Sequence, residues 1–293
     1  MLAAMRPGAF TGNRMRVAPV IPDHAVPLAD PAPIDPVRRC GGIARLYGEQ
    51  ALARLARARV CVVGVGGVGS WTVEALARSG VGNLTLIDLD HVAESNINRQ
   101  IHALDATLGA AKVLVLAERI VQINPHCSVE CIEEFIDAGN VAAQIGVGRF
   151  DVVIDAVDSV AAKVALLVHC HAHGIAVITI GSAGGQRDPT RVRVRDLAHT
   201  EHEPLLAKVR KRLRSEHGFA RNLKVDFGIS AVFSEESIRY PRDLAATGAS
   251  DATGGQTGLH CGGLGSSVAV TATFGLVAAA LALERLVAEA PAR

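Results

Sequence analysis

A guanidinium, an ammonium and two carboxylates stand at Arg99, Lys112, Asp155 and Asp158, and the loop that carries the arginine also holds the side-chain amides Asn96, Asn98 and Gln100. Fixed cations stabilise charge that builds on a departing pyrophosphate, so Arg99 and Lys112 suit the cleavage of a triphosphate. Asp155 and Asp158 invite a hard cation, because magnesium takes one or two carboxylates together with substrate phosphates. Upstream, Gly64-Val65-Gly66-Gly67-Val68-Gly69 offers a phosphate-binding backbone. Gly64 allows the tight turn, Gly66 the close approach of the phosphate, and Gly69 the packing of helix on sheet. About 20 residues further on, Asp88 is placed to accept hydrogen bonds from a ribose. The glycine phrase alone also fits a nicotinamide dinucleotide, but that cofactor has little use for Arg99 and Lys112.

These groups need a scaffold that brings them to one edge. The β-branched run Val60–Val63 leads into the helical spacing Trp71, Ala75 and Leu76, a strand turning into a helix whose amides face an anion. Leu84–Ile87 is the next parallel strand. Ala110–Ile123 is a helix stopped by Asn124-Pro125, and Ser128–Phe135 a strand, followed by a short helix over Val141–Ile145. Asp151–Asp155 is a buried strand that delivers Asp155 and Asp158 to the crevice of a doubly wound sheet. A helix from about Ala161 and a buried strand over Ala176–Ile180 follow, then an antiparallel strand over Arg191–Arg195. Val225–Phe233 and Ser237–Tyr240 are β-like, and Ala245–Gly258 is a mobile Gly/Thr/Ala-rich loop. From Leu264 to about Val287 runs a helix interrupted by Gly275, assigned to the core or a dimer interface rather than to a membrane. The pattern is α/β: a Rossmann-like, doubly wound, mostly parallel sheet with an antiparallel C-terminal extension and a C-terminal helix.

Gly-x-Gly-Gly-Val-Gly, Ile87-Asp88-Leu89-Asp90, Asn96-Ile97-Asn98-Arg99-Gln100, Lys112 and Asp155-Ala156-Val157-Asp158 resemble, in order, the adenylating fold of ubiquitin-activating-type (ThiF-like) enzymes. Within that group the chain is most similar to the tRNA threonylcarbamoyladenosine dehydratases. The likeness rests on Arg45–Glu49, Gly69-Ser70-Trp71, Asn98–Leu104, Gln122–Pro125, Ile154–Ser159, Gly184–Thr190 and Val270–Gly275, so it covers nearly everything from Arg39 onward. It implies ATP bound by Gly64, Gly66, Gly67, Gly69, Asp88, Asp90, Asn96, Asn98, Arg99, Gln100, Lys112 and Asp158. Arg99, Lys112 and Asp158 are the implied catalytic groups, Asp158 carries Mg²⁺, and Asp155 braces the turn. It also implies a threonyl carboxylate in tRNA that is adenylated and then cyclised with loss of water, in a homodimer, with room for an alkali cation and a cysteine-desulfurase sulfur-relay partner. An arginine from the N-terminal region, Arg39 or Arg45, is the candidate to reach a partner subunit's nucleotide. With tRNA as the implied substrate, the basic run Lys208, Arg210, Lys211, Arg212 and Arg214 reads as a phosphate contact.

Composition narrows the remaining choices. The net charge of +1 gives no global pull toward nucleic acid, so any such partner must meet a local patch. Aromatic residues are 3% of the chain, which leaves Ala, Val, Leu and Ile to build the core. The six cysteines form no Cys-x-x-Cys pair and no secretory signal opens the chain, so a reducing cytoplasm and no structural zinc are expected. His169-Cys170-His171-Ala172-His173 falls in a helix where only His169 and His173 share a face, a packing role rather than zinc. Cys261, in a glycine-rich loop, reads as packing rather than as a reactive thiol. Seven prolines between Pro7 and Pro36 mark residues 1–37 as a disordered extension, with the adenylating domain over 38–293. Activation of a ubiquitin-like sulfur carrier, an NAD-dependent oxidoreductase and a non-catalytic nucleotide-binding adaptor stand as alternatives.

Overall fold

The structure is a computed structural model that describes residues 14–16, 35–240 and 264–288. Eight strands form one sheet: β1 (Arg14–Arg16), β2 (Arg59–Val63), β3 (Asn83–Ile87), β4 (Ser128–Ile132), β5 (Val152–Asp155), β6 (Val177–Ile180), β7 (Val192–Asp196) and β8 (Ser230–Ser234). Their order is β1-β4-β3-β2-β5-β6-β8-β7. The six inner strands, from β4 across to β8 in that order, run parallel, while β1 and β7 pair antiparallel at the two edges. The strand order reverses on either side of β2, which is where a doubly wound sheet opens its ligand crevice.

Among the described residues eight α-helices accompany the sheet: α1 (Pro36–Tyr47), α2 (Glu49–Arg57), α3 (Gly69–Arg78), α4 (Lys112–Ile123), α5 (Val141–Gln144), α6 (Val160–Ala172), α7 (Pro204–Glu216) and α8 (Val268–Val287). Because both faces are covered, the parallel strands are mostly apolar, and their side chains divide between two cores. Val60, Val62, Leu84, Leu86 and Ile154 meet α3, α4 and α8, while Cys61, Val63, Ile87 and Val153 meet α5, α6 and α7.

The C-terminal helix is long and apolar enough to span a membrane, yet Val270, Phe274, Ala278 and Ala282 are buried in the first of these cores. Gly275 does not interrupt it. A Cβ there would lie 2.5 Å from the Val68 carbonyl oxygen and 2.8 Å from Trp71 Cβ, so the glycine lets α8 cross α3 closely. At the crossing the Thr72 hydroxyl donates to the Gly275 carbonyl at 3.1 Å.

Several expected boundaries shift. β4 ends at Ile132, whose carbonyl accepts from the Asp88 amide, and frees Glu134 and Phe135 for the crevice. The strand expected over Val225–Phe233 is confined to Ser230–Ser234. The amides of Phe227 and Ile229 bond instead to the Asp196 carboxylate, which replaces a strand partner. Ser237–Tyr240 is not a strand, for the Arg239 amide donates to the Gly185 carbonyl in an isolated contact. Of the proline-rich extension, Arg14–Arg16 pairs with β4 and the first helix already begins at Pro36; residues 1–13 and 17–34, the Ala245–Gly258 loop and Cys261 lie outside the described residues.

Candidate active site

The carboxyl ends of β2, β3, β5 and β6 open into a cavity of about 620 Å³. It is lined by Gly64, Gly66, Gly67, Asp88, Asp90, Asn96, Arg99, Gln100, Lys112 and Asp158, nearly the whole set expected from the sequence. Gly69 and Asn98 are not among its lining. Gly69 opens α3, where an added Cβ would sit 1.9 Å from the Gly64 carbonyl oxygen, so its role is to seat the helix against the turn. Gly64 itself has φ +82°, and a Cβ there would meet the Ala156 backbone at 2.9 Å. Gly69→Ala is expected to destabilise the chain by about 1–3 kcal/mol through overpacking and to weaken ATP binding with it. Denaturant titration with and without ATP measures both effects.

Asp88 and its neighbours hold the loop in shape. One Asp88 oxygen accepts from the Val65 amide at 2.8 Å and the other from the Asp90 amide at 2.9 Å. Burial pushes this carboxyl above its usual range, while Lys112 and the two amides act in the opposite direction. Lys112 Nζ donates to Asp90 at 2.8 Å and is almost wholly buried, so the ammonium is fixed at the crevice floor. Arg99 lies over the glycine turn: a Cβ on Gly67 would come within 3.2 Å of its side chain. Its guanidinium donates to the Ser95 carbonyl and to Asn98 Oδ1, while its own carbonyl accepts from Trp71 Nε1 at 2.9 Å. Asn98 also donates to the Ser266 carbonyl at 3.1 Å, which ties the arginine loop to the approach of α8.

The two aspartates after β5 have different surroundings. Asp158 lines the cavity and is exposed. Asp155 is fully buried and accepts from Lys163 Nζ at 3.0 Å and from the Thr179 hydroxyl at 2.6 Å, with the Val157 amide at 3.3 Å. It braces the Ala156–Asp158 turn, as expected. The cavity thus offers Asp158 and Asp90 as carboxylates beside a phosphate-binding loop, a donor set that fits Mg²⁺.

Some contributors carried weak sequence signals. Lys163 is the sole charge in the apolar helix Val160–Ala172, which hints at a buried partner. Glu203 caps α7 by accepting from the amides of Leu205 and Leu206, and it also accepts from the Ser182 amide at 3.0 Å. Ser182 and Leu205 both line the cavity, so one carboxylate joins two of its walls. Burial raises the Glu203 pKa, with the amides and Lys163 opposing.

His102, two residues beyond Gln100, is 2% exposed, and neither ring nitrogen has a hydrogen-bond partner among the described residues. Burial, reinforced by Lys112 and Arg119, lowers its pKa from 6.5 to about 4. The unfolded chain therefore takes up this proton first, so the contribution present above pH 6.5 is lost as pH falls toward 4. The loss is on the order of 3 kcal/mol. Urea melts at pH 7 and pH 5 should show about 2 kcal/mol of it, and His102→Gln should flatten that dependence.

Elsewhere the expected groups divide by surroundings. His169 Nε2 contacts the Ile145 carbonyl at 2.7 Å and its ring lies 4.4 Å from that of His173, while Cys170 is buried. Arg39 donates to the carbonyls of Gln122 and Ile123 at the end of α4, whereas Arg45 is exposed on α1. On α7, Arg210 donates to Thr200, Arg214 to the Ala198 and Ala220 carbonyls, and Arg212 pairs with Glu216. Lys208 and Lys211 are the exposed ammonium groups of that run.

A doubly wound sheet whose crevice combines a glycine turn with a fixed ammonium, a guanidinium and an exposed carboxylate defines an ATP-dependent adenylating enzyme. The chain belongs to the ThiF family, whose model matches residues 41–289, and within it to the tRNA threonylcarbamoyladenosine dehydratases. It is 50% identical over 255 residues to the Escherichia coli tRNA threonylcarbamoyladenosine dehydratase, an alignment spanning 86% of this chain and 95% of that protein. Its Haemophilus influenzae counterpart is 46% identical, over 85% of this chain and 93% of that one. The crystal structure of the Escherichia coli dehydratase in complex with ATP superposes with a TM-score of 0.76 at 48% identity, covering 85% of this chain and 94% of that chain. A complex of the same protein with AMP matches equally.

Proposed function

We propose that this chain binds ATP and Mg²⁺, adenylates the threonyl carboxylate of N6-threonylcarbamoyladenosine in tRNA, and closes the activated group into a ring. The observation that carries this reading is the convergence of Arg99, Lys112 and Asp158 on one cavity with the glycine turn. The carboxylate oxygen attacks the α-phosphorus and pyrophosphate leaves, with the α3 amides, Arg99 and Lys112 offsetting the phosphate charge. The neighbouring carbamoyl group then attacks the activated carbonyl, loses a proton, and expels AMP. The nucleoside loses the elements of water, and its two reacting groups gain from proximity. Mg²⁺ held by Asp158 would supply further charge neutralisation. Glu203 and Asp155 keep the cavity walls in place and touch no reacting atom.

Lys208, Arg210, Lys211, Arg212 and Arg214 of α7 are the groups that would meet tRNA phosphates: Lys208 and Lys211 are exposed, and Arg210, Lys211 and Arg214 line one open cleft. A homodimer in the cytoplasm is part of the same reading. The test is mass spectrometry of nucleosides from tRNA bearing threonylcarbamoyladenosine after incubation with the protein, Mg²⁺ and ATP. A product lighter by one water, with matching AMP release, is expected. AMP and pyrophosphate that appear only on addition of a ubiquitin-like sulfur carrier would replace this reading.

A further inference from the structure

Four arginines converge at the edge of the sheet opposite the nucleotide crevice. Arg54, Arg57, Arg59 and Arg285 line an open cleft of about 650 Å³ at the amino-terminal ends of β2, β5 and β6, with Asp151 as the acidic group in its lining. Asp151 pairs with Arg59 at 3.0 Å and so offsets one of the four charges. Arg285 is half-buried, donates to the Val177 carbonyl and to the Ser230 hydroxyl, and has no carboxylate partner among the described residues. Burial alone lowers its pKa. Arg54 donates to the Val287 carbonyl at 2.7 Å while its Nε is buried without a partner among the described residues. Arg57 is exposed, and its side chain makes no hydrogen bond or ion pair among the described residues.

A chain of net charge +1 thus concentrates in one concavity three guanidiniums with no carboxylate partner among the described residues. Neutral carbonyl and hydroxyl partners satisfy some of their N–H groups but none of their charge. Planar forks with unused donors are the groups that bind oxyanions in bidentate fashion. We infer that this cleft is a second anion site that takes a phosphate group. Strands of four or five residues separate it from the nucleotide crevice, roughly 15 Å, so an extended polyanion engaged at the crevice has the reach to meet it.

Two sources share this chemistry, a backbone phosphate of tRNA and free inorganic phosphate, and the tRNA source rests on the function proposed above. Equilibrium binding of tRNA across a salt series, for wild type, Arg57→Gln and Arg285→Gln, tests the first. Each substitution that removes a cation from a tRNA phosphate should make the slope of log K against log salt shallower by about 0.9. In parallel, inorganic phosphate titrated into the full chain while the arginine Nε–H resonances are followed tests the second. Resonances of Arg54 and Arg285 should shift in the wild type and not in Arg57→Gln. Arg285→Gln also removes two hydrogen bonds to β6 and β8, so Arg57→Gln is the variant that carries the decision. A shallower slope assigns the site to tRNA, and phosphate-dependent shifts with an unchanged slope assign it to free phosphate. Unchanged slopes together with no shift would overturn the inference. Nucleoside dehydration by the wild type, measured alongside, separates the two claims: its absence counts against the proposed function and leaves the phosphate titration intact.

Discussion

Asp158→Ala is expected to lower AMP formation by roughly 100- to 1000-fold or more while leaving the fold and tRNA binding in place. The side chain is exposed at the carboxyl end of β5, so its removal opens no cavity in either core. What disappears is a carboxylate of the cavity that Arg99 and Lys112 also line. If the departing pyrophosphate depends on a magnesium held there, the loss falls on kcat. Raising the ATP concentration should not restore it. Pyrophosphate release under saturating ATP, with circular dichroism as a check on folding, gives the answer. Turnover within tenfold of wild type would take Asp158 out of the mechanism.

Lys163→Met is expected to cost about 3–5 kcal/mol of stability, because it strands the fully buried Asp155 carboxylate without its cation. Thr179 would remain as a hydrogen-bond donor at 2.6 Å, which is insufficient to carry a charge out of water. The double variant Lys163→Met/Asp155→Leu removes the charge with its partner and should recover much of the loss, as replacement of a whole buried pair does. Urea unfolding of the single and double variants distinguishes a charge penalty from a change in packing volume. Equal destabilisation of the two would point to packing.

The sheet was legible because its central strands are buried on both faces and two of them, Val60–Val63 and Val152–Ile154, read as unbroken apolar runs. The crevice was legible because strand ends, a glycine turn and charged residues occur in a fixed sequential order. Glu203 was not legible: as a carboxylate before Pro204 it looks like any helix cap, and its second role, reaching Ser182, depends on a hydrogen bond across 21 residues. The basic run on α7 reads in the sequence as one surface of five like charges; in the fold Lys208 and Lys211 are exposed, while Arg210 and Arg214 also donate to Thr200 and the Ala198 carbonyl, bonds that spacing alone does not show. The strand expected at Val225 failed because Asp196 supplies from its side chain the acceptors that a neighbouring strand would have given.

The crossing of α8 over α3 at Gly275 gives the phosphate loop a backstop that the nucleotide does not have to provide. Because Val68 and Thr72 are gripped from behind, whatever tightens the turn from the ligand side must also steady the far helix, and the reverse holds by thermodynamic reciprocity. Amide protons along α8 should therefore exchange more slowly when ATP is bound, even in turns well removed from the crevice. The C-terminal helix would then report occupancy of the nucleotide site from the opposite side of the loop.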